Sequence, residues 1–153
     1  MAYEKEGMMK RSCAFIVLLL VFFATNVFGE NSDAIFGTWY NEEKTSAIEI
    51  FKCTDAYCGR IVWLKNPLDA QGKEKADSKN PDESLRDRKI MGLQILSGFR
   101  YAGDDTWKSG KIYDPKNGKT YSCKMRLDGE NLKIRGFIGI SLLGRTTVWS
   151  RKI

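Results

Sequence analysis

There is no histidine in the 153 residues. That gap removes the Ser-His-Asp and Cys-His nucleophilic systems, both of which need an imidazole to take the nucleophile's proton. It also thins the supply of zinc ligands, since structural sites draw on cysteine and histidine at spacings such as C-x2-C. Cysteine is scarce too, with four in all. Cys53 and Cys58 stand in a C-x4-C arrangement, not in the C-x-x-C of thioredoxin-like redox motifs. With Cys123 the one further thiol after residue 29, no tetrahedral site can close, and neither a metal nor a cofactor is expected. The stretch DAQGKEKADSKNPD lacks the ligand spacing of a calcium loop. Long apolar runs are short of what a membrane needs. CAFIVLLLVFFA, Cys13 to Ala24, is twelve residues, against the roughly twenty that cross a bilayer.

That run has a different meaning. Lys10 and Arg11 precede it as a basic segment, and Val27 and Gly29 supply small side chains at a signal-peptidase spacing. Residues 1–29 are therefore expected to be a signal peptide cleaved near Gly29. Residues 30–153 are then a single domain, periplasmic or secreted, with no transmembrane span in the mature chain. An uncleaved N-terminal anchor is the alternative, and no cysteine stands where a lipoprotein is cleaved. Removing the first 29 residues leaves 22 basic against 17 acidic residues, a net +5. The charges are scattered rather than gathered on one face with interleaved aromatics, so no nucleic-acid partner is expected.

The Cys53–Cys58 pair reads as a staple. If TDAY (Thr54 to Tyr57) is a four-residue hairpin loop, the two cysteines face each other across an antiparallel pair. Their Cα atoms are then about 4.5–5.5 Å apart, within disulfide range. This register sets Ile50 opposite Ile61 and Ile48 opposite Trp63, making one face wholly apolar. A disulfide also fits an oxidising compartment. Cys123 lies in KTYSCKMRL, where Tyr121, Cys123, Met125 and Leu127 alternate with polar residues, so it reads as a small core residue rather than a reactive thiol.

Strand patterns recur along the chain: Ile35 to Asn41, Ala47 to Cys53, Cys58 to Leu64, Gly92 to Phe99, Thr106 to Asp114, Lys119 to Leu127, Asn131 to Gly139 and Arg145 to Lys152. Asp114-Pro-Lys-Asn-Gly118 is a hairpin loop, and Asp128-Gly129 reads as a two-residue turn pairing Met125 with Leu132 and Cys123 with Ile134. The fold class is all-β, an up-and-down antiparallel barrel of about eight strands, with a split sandwich as the alternative. One long polar loop, residues 65–91, carries a short helix. Asn80 is its expected N-cap, with Pro81 first and Glu83 completing a capping box. Over a barrel mouth such a loop is either a lid or a solvated crossover.

Several stretches together, FGTW, IEI…C…CGRIVWL, NPD with LR following, KIYDPKNGKTY and RGFIGISLLGRTTVW, resemble an uncharacterised exported bacterial family, domain of unknown function 2147. The resemblance runs from about Ile35 to Arg151 and departs where this chain has Arg88-Lys89-Ile90. The family name carries no activity. At the level of fold, Gly37-Thr38-Trp39 resembles the opening strand of lipocalin-like (calycin) barrels. That resemblance implies a barrel-closing stack of Arg151, or of Arg145, on Trp39.

Three functions remain open. The first is a non-catalytic module binding a small apolar or amphipathic ligand between wall residues Ile48, Ile50, Ile61, Trp63, Tyr121, Cys123, Met125, Leu132 and Ile134, unless these pack as a dry core. The lid loop would contribute Asp82, Arg86 and Arg88. The second is a cell-envelope protein partner meeting the FIGISLLG turn, Phe137 to Gly144, if its aliphatic residues are exposed rather than a buried bent strand. The third is a carboxylate-dependent hydrolase using loop acids such as Asp69, Asp77, Asp82 or Asp87, or Asp114, though no spacing singles out a pair.

Overall fold

The computed structural model describes residues 31–153; the expected signal peptide falls outside the described residues. Apolar alternation builds eight strands: β1 (Gly37–Tyr40), β2 (Ser46–Cys53), β3 (Ala56–Leu64), β4 (Gln94–Tyr101), β5 (Thr106–Asp114), β6 (Lys119–Asp128), β7 (Asn131–Phe137) and β8 (Arg145–Arg151). Each pairs with its sequence neighbour, and β8 returns antiparallel to β1, closing the barrel. The closure rules out the open sandwich.

Two hairpins slide relative to the expected registers. The β2–β3 turn is the two residues Thr54 and Asp55, with Thr54 at φ 51, so Cys53 faces Ala56 and Phe51 faces Cys58. Ile48 then meets Ile61, and Ile50 meets Gly59. A two-residue turn follows the twist of the strands better than a wide loop, and the ladder gains a further pair. The disulfide forms nonetheless, on the diagonal, with Cα atoms 5.8 Å apart. Likewise Asp128 faces Asn131, which moves the turn to Gly129-Glu130 and sets Met125 opposite Ile134 and Cys123 opposite Gly136. Both shifts amount to two residues in the pairing, so by themselves they leave each side chain on its expected face.

Trp63 does not keep its face. A bulge at Ala47/Ile48 puts Val62 out of register, and beyond it the alternation inverts. Trp63 stands outside the barrel against Tyr40, ring centroids 5.6 Å apart, with the Lys152 ammonium 5.7 Å from its ring. Leu64 takes the inward position and packs on the core.

One end of the barrel is sealed by the turn preceding β1. Ile35 is fully buried there. The Trp39 indole N–H donates to the Ile35 carbonyl (2.9 Å), that of Trp107 to the Ser32 carbonyl (3.1 Å), and the Tyr57 hydroxyl to Asp33 (2.7 Å). Each large aromatic thus buries its ring and satisfies its polar edge. Arg151, paired with Trp39 across the β1–β8 seam, donates to the carbonyls of Ala34 and Phe36, both at 2.9 Å. Its guanidinium lies 4.2 Å from the Trp39 ring centroid. Arg145 starts the same strand at the far end.

Above this plug the interior is filled. Ile48, Ile50, Phe99, Trp107, Cys123, Met125, Leu132 and Ile134 form one buried cluster. Phe99 lies so flat on Gly110 that a Cβ there would overlap its ring. Gly110→Ala is accordingly expected to cost about 1–3 kcal/mol in urea unfolding by overpacking. A second substitution, Phe99→Leu, should recover part of the loss; equal costs in both backgrounds would refute the contact.

Candidate functional site: the open end of the barrel

The inward-facing positions are not equally covered. Towards the end opposite the plug, Leu64, Ile112, Tyr121 and Thr147 all face the lumen, yet each is only half-buried. Gly136, between Ile112 and Tyr121, adds no side chain, and a Cβ there would just touch both. The result is a shallow apolar mouth above the packed core. Tyr121 anchors its rim, its hydroxyl accepting from the Asn117 amide at 3.0 Å.

A charged strut crosses this mouth. Lys116 in the β5–β6 turn meets Glu43 in the β1–β2 turn at 2.9 Å. These turns lie on opposite sides of a ring whose strands follow chain order. The hydrogen bond from Lys116 and its charge, helped by Arg145, hold the Glu43 carboxyl below its ordinary range against a small effect of burial. Both side chains are exposed, so the strut is weak and readily opened. Nothing in local sequence announces a pair 73 residues apart.

The part of the long loop that carries the expected lid residues does not reach over the mouth. From Asp77 to Arg88 it is held on the outer face of β5 through Tyr113 and against the β5–β6 turn, where Gly118 is so close to the Lys79 carbonyl that no Cβ fits. The expected helix is a single 3-10 turn, Glu83–Leu85, capped by Asp82, whose carboxylate accepts from the Ser84 N–H at 3.0 Å. Asn80 is not the cap. It is buried beside a fully buried Asp77, to which its amide donates at 2.8 Å. Asp77 also accepts from the Tyr113 hydroxyl (2.6 Å) and from Arg88 (2.8 Å). Burial pushes the Asp77 carboxyl up, but the bonds from Tyr113, Asn80 and Arg88 and the Arg88 charge outweigh it and hold the group below its ordinary range. Burial and the neighbouring carboxylate push the Tyr113 hydroxyl up.

The lid candidates therefore do not converge. Asp82 caps a turn, Arg86 donates to the Asn80 carbonyl and Glu83, and Arg88 is spent on Asp77. A surface cavity of about 300 Å³ beside Arg88 and Lys111 lies outside the barrel wall. The loop acids are dispersed in structural roles: Asp69 accepts from the Gln71 and Lys73 N–H groups, and Asp114 holds the β5–β6 turn through Lys116 and Asn117. Cys123 is buried, which pushes its thiol up to about 12 and leaves almost no thiolate at neutral pH. Among the described residues no group of side chains could hold a metal ion, and no helix is long and apolar enough to cross a membrane.

A family model described as an uncharacterised protein conserved in bacteria matches residues 37–151. Among solved structures the chain is similar to protein HP1028 from the human pathogen Helicobacter pylori, described as belonging to the lipocalin family. The match has 25% sequence identity, a TM-score of 0.66, and covers 76% of this chain and 82% of that one. No curated protein matches.

Proposed function

Since the chain belongs to DUF2147, a family of uncharacterised bacterial proteins whose name carries no activity, we propose a function from its geometry: an exported, non-catalytic barrel that binds a small amphipathic molecule at its mouth. The observation supporting this is the incomplete burial of Leu64, Ile112 and Tyr121 on the lumen side of one end, while the lumen beneath them is packed. An apolar tail would rest on these side chains, and a polar head would meet Lys116, Glu43 and Arg145. The deeper wall positions Ile48, Ile50, Ile61, Cys123, Met125, Leu132 and Ile134 serve as the floor that keeps the ligand shallow. Lipocalin-like architecture favours this use, since an eight-stranded barrel is just wide enough to be filled or to hold one small molecule. The disulfide favours export, because such bonds persist in oxidising compartments.

The test is a fluorescence titration with anilinonaphthalene sulfonate, an amphipathic anion that brightens in apolar sites. Binding is expected to saturate at one site and to weaken about tenfold in Tyr121→Ala, the equivalent of about 1.4 kcal/mol. A non-saturating signal, or an unchanged affinity in the variant, would place the dye elsewhere and overturn the reading.

A further inference from the structure

The connection between β7 and β8 leaves Ile138, Ile140, Leu142 and Leu143 exposed by 73%, 60%, 82% and 79%. It is nevertheless a built loop. Arg135 reaches under it and donates to the Ser141 carbonyl (2.7 Å), the Leu142 carbonyl (2.9 Å) and the Thr146 hydroxyl (2.8 Å). At its exit, Gly144 packs so tightly on the Gly136 carbonyl and Phe137 that a Cβ would overlap both. The guanidinium thus satisfies backbone carbonyls at the tip and turns the aliphatic side chains outward. An apolar medium demands that arrangement, because unpaired carbonyls resist leaving water.

Within the β7–β8 hairpin that carries the loop the charge has one sign, although Glu42 and Glu43 of the β1–β2 turn lie close to its β8 strand, Glu42 accepting from the Val148 N–H at 3.4 Å. Residues 131–153 carry five basic and no acidic side chains, with the exposed Arg145 directly after the tip. Four aliphatic groups without an aromatic anchor differ from the Tyr, Trp and Arg clusters that dominate protein–protein interfaces. Aliphatic insertion combined with basic flanks is how a peripheral protein holds an anionic lipid surface.

We propose that this loop docks the chain on a bilayer carrying anionic headgroups, its four aliphatic side chains entering the boundary between headgroups and acyl chains. The loop is at the same end as the mouth, so docking points the mouth at the membrane. An amphipathic ligand could then pass between lipid and barrel without crossing bulk water.

The full chain carrying Cys13→Ser, whose thiol would otherwise take the dye, is tested with an environment-sensitive dye attached at Leu142→Cys and, separately, at Ala102→Cys in the β4–β5 turn at the plugged end. Vesicles of equal parts phosphatidylcholine and phosphatidylglycerol should raise the Leu142→Cys signal several-fold and leave the Ala102→Cys signal flat. Pure phosphatidylcholine should give a much smaller rise, and added salt should weaken the effect. Because the dye reports its own position, any attachment through residues 1–30 does not imitate the result. A flat signal at 142, or equal rises at both positions, overturns the proposal. So does a rise without vesicles that grows with protein concentration, which would assign the loop to a second copy. The mouth titration is done without vesicles, so failure there and failure here are separate outcomes.

Discussion

Replacing Asp77 with alanine is expected to destabilise the chain by about 3 kcal/mol, the lower end of the cost of breaking a buried ion pair. The lower end applies because Arg88, its partner, keeps 37% of its side chain exposed and regains hydration when released. Tyr113 and Asn80 lose an acceptor in the same step. Urea unfolding gives the number. The sign of its pH dependence follows from the lowered carboxyl. Unfolded, the group titrates near 3.9; folded, it titrates lower. Its contribution is therefore complete above the unfolded value and disappears as the pH falls through the folded one. Glu43, Asp82 and Asp128 are also held low, so the acid limb of wild-type stability is shared. The difference between wild type and Asp77→Asn isolates Asp77, and it should shrink on acidification. A constant difference from neutral pH to pH 3 would show that the carboxylate charge does not matter.

Arg151→Ala is the second large effect, also expected at about 3 kcal/mol. Hydrogen bonds from a charged donor contribute about 1.5–3 kcal/mol each, and Arg151 makes two, to Ala34 and Phe36. The contact with the Trp39 ring adds about 0.5–2 kcal/mol, while rehydration of the released carbonyls takes part of the total back. Arg151→Lys should restore less than half, since an ammonium cannot hold two carbonyls and a ring in one plane. Trp39 fluorescence should shift to the red in the alanine variant as the plug loosens. Full stability in the lysine variant would show that charge alone closes the barrel.

The strands were legible because alternation is written into each segment, and the β5–β6 turn because Pro115 and Asn117-Gly118 dictate it. The other two hairpin registers were not. Pairings two residues apart place the same apolar side chains on the same face, so the alternation in β2, β3, β6 and β7 could not choose between them. Trp63 misled because one extra residue at a bulge leaves no mark in composition. Asn80 carried a local capping signature that a buried carboxylate three residues earlier overrode. Neither Arg88 with Asp77 nor Lys116 with Glu43 could be inferred, since loop geometry alone brings them together. The mouth was hidden for the same reason: Leu64, Ile112 and Tyr121 read as ordinary core until one end proves to be plugged and the other open.

Strand order that follows chain order has a kinetic consequence. Seven of the eight pairings join consecutive strands, and all of these except β3–β4, which the long loop spans, are short hairpins that can zip as soon as their residues are present, at small loop-closure cost. The last pairing brings together groups 115 positions apart, as Arg151 reaches Phe36. Such non-local contacts set the pace of folding for β proteins. Losing the final few residues should therefore leave a curled, unsealed sheet with two free edges, a species prone to pairing with its own kind.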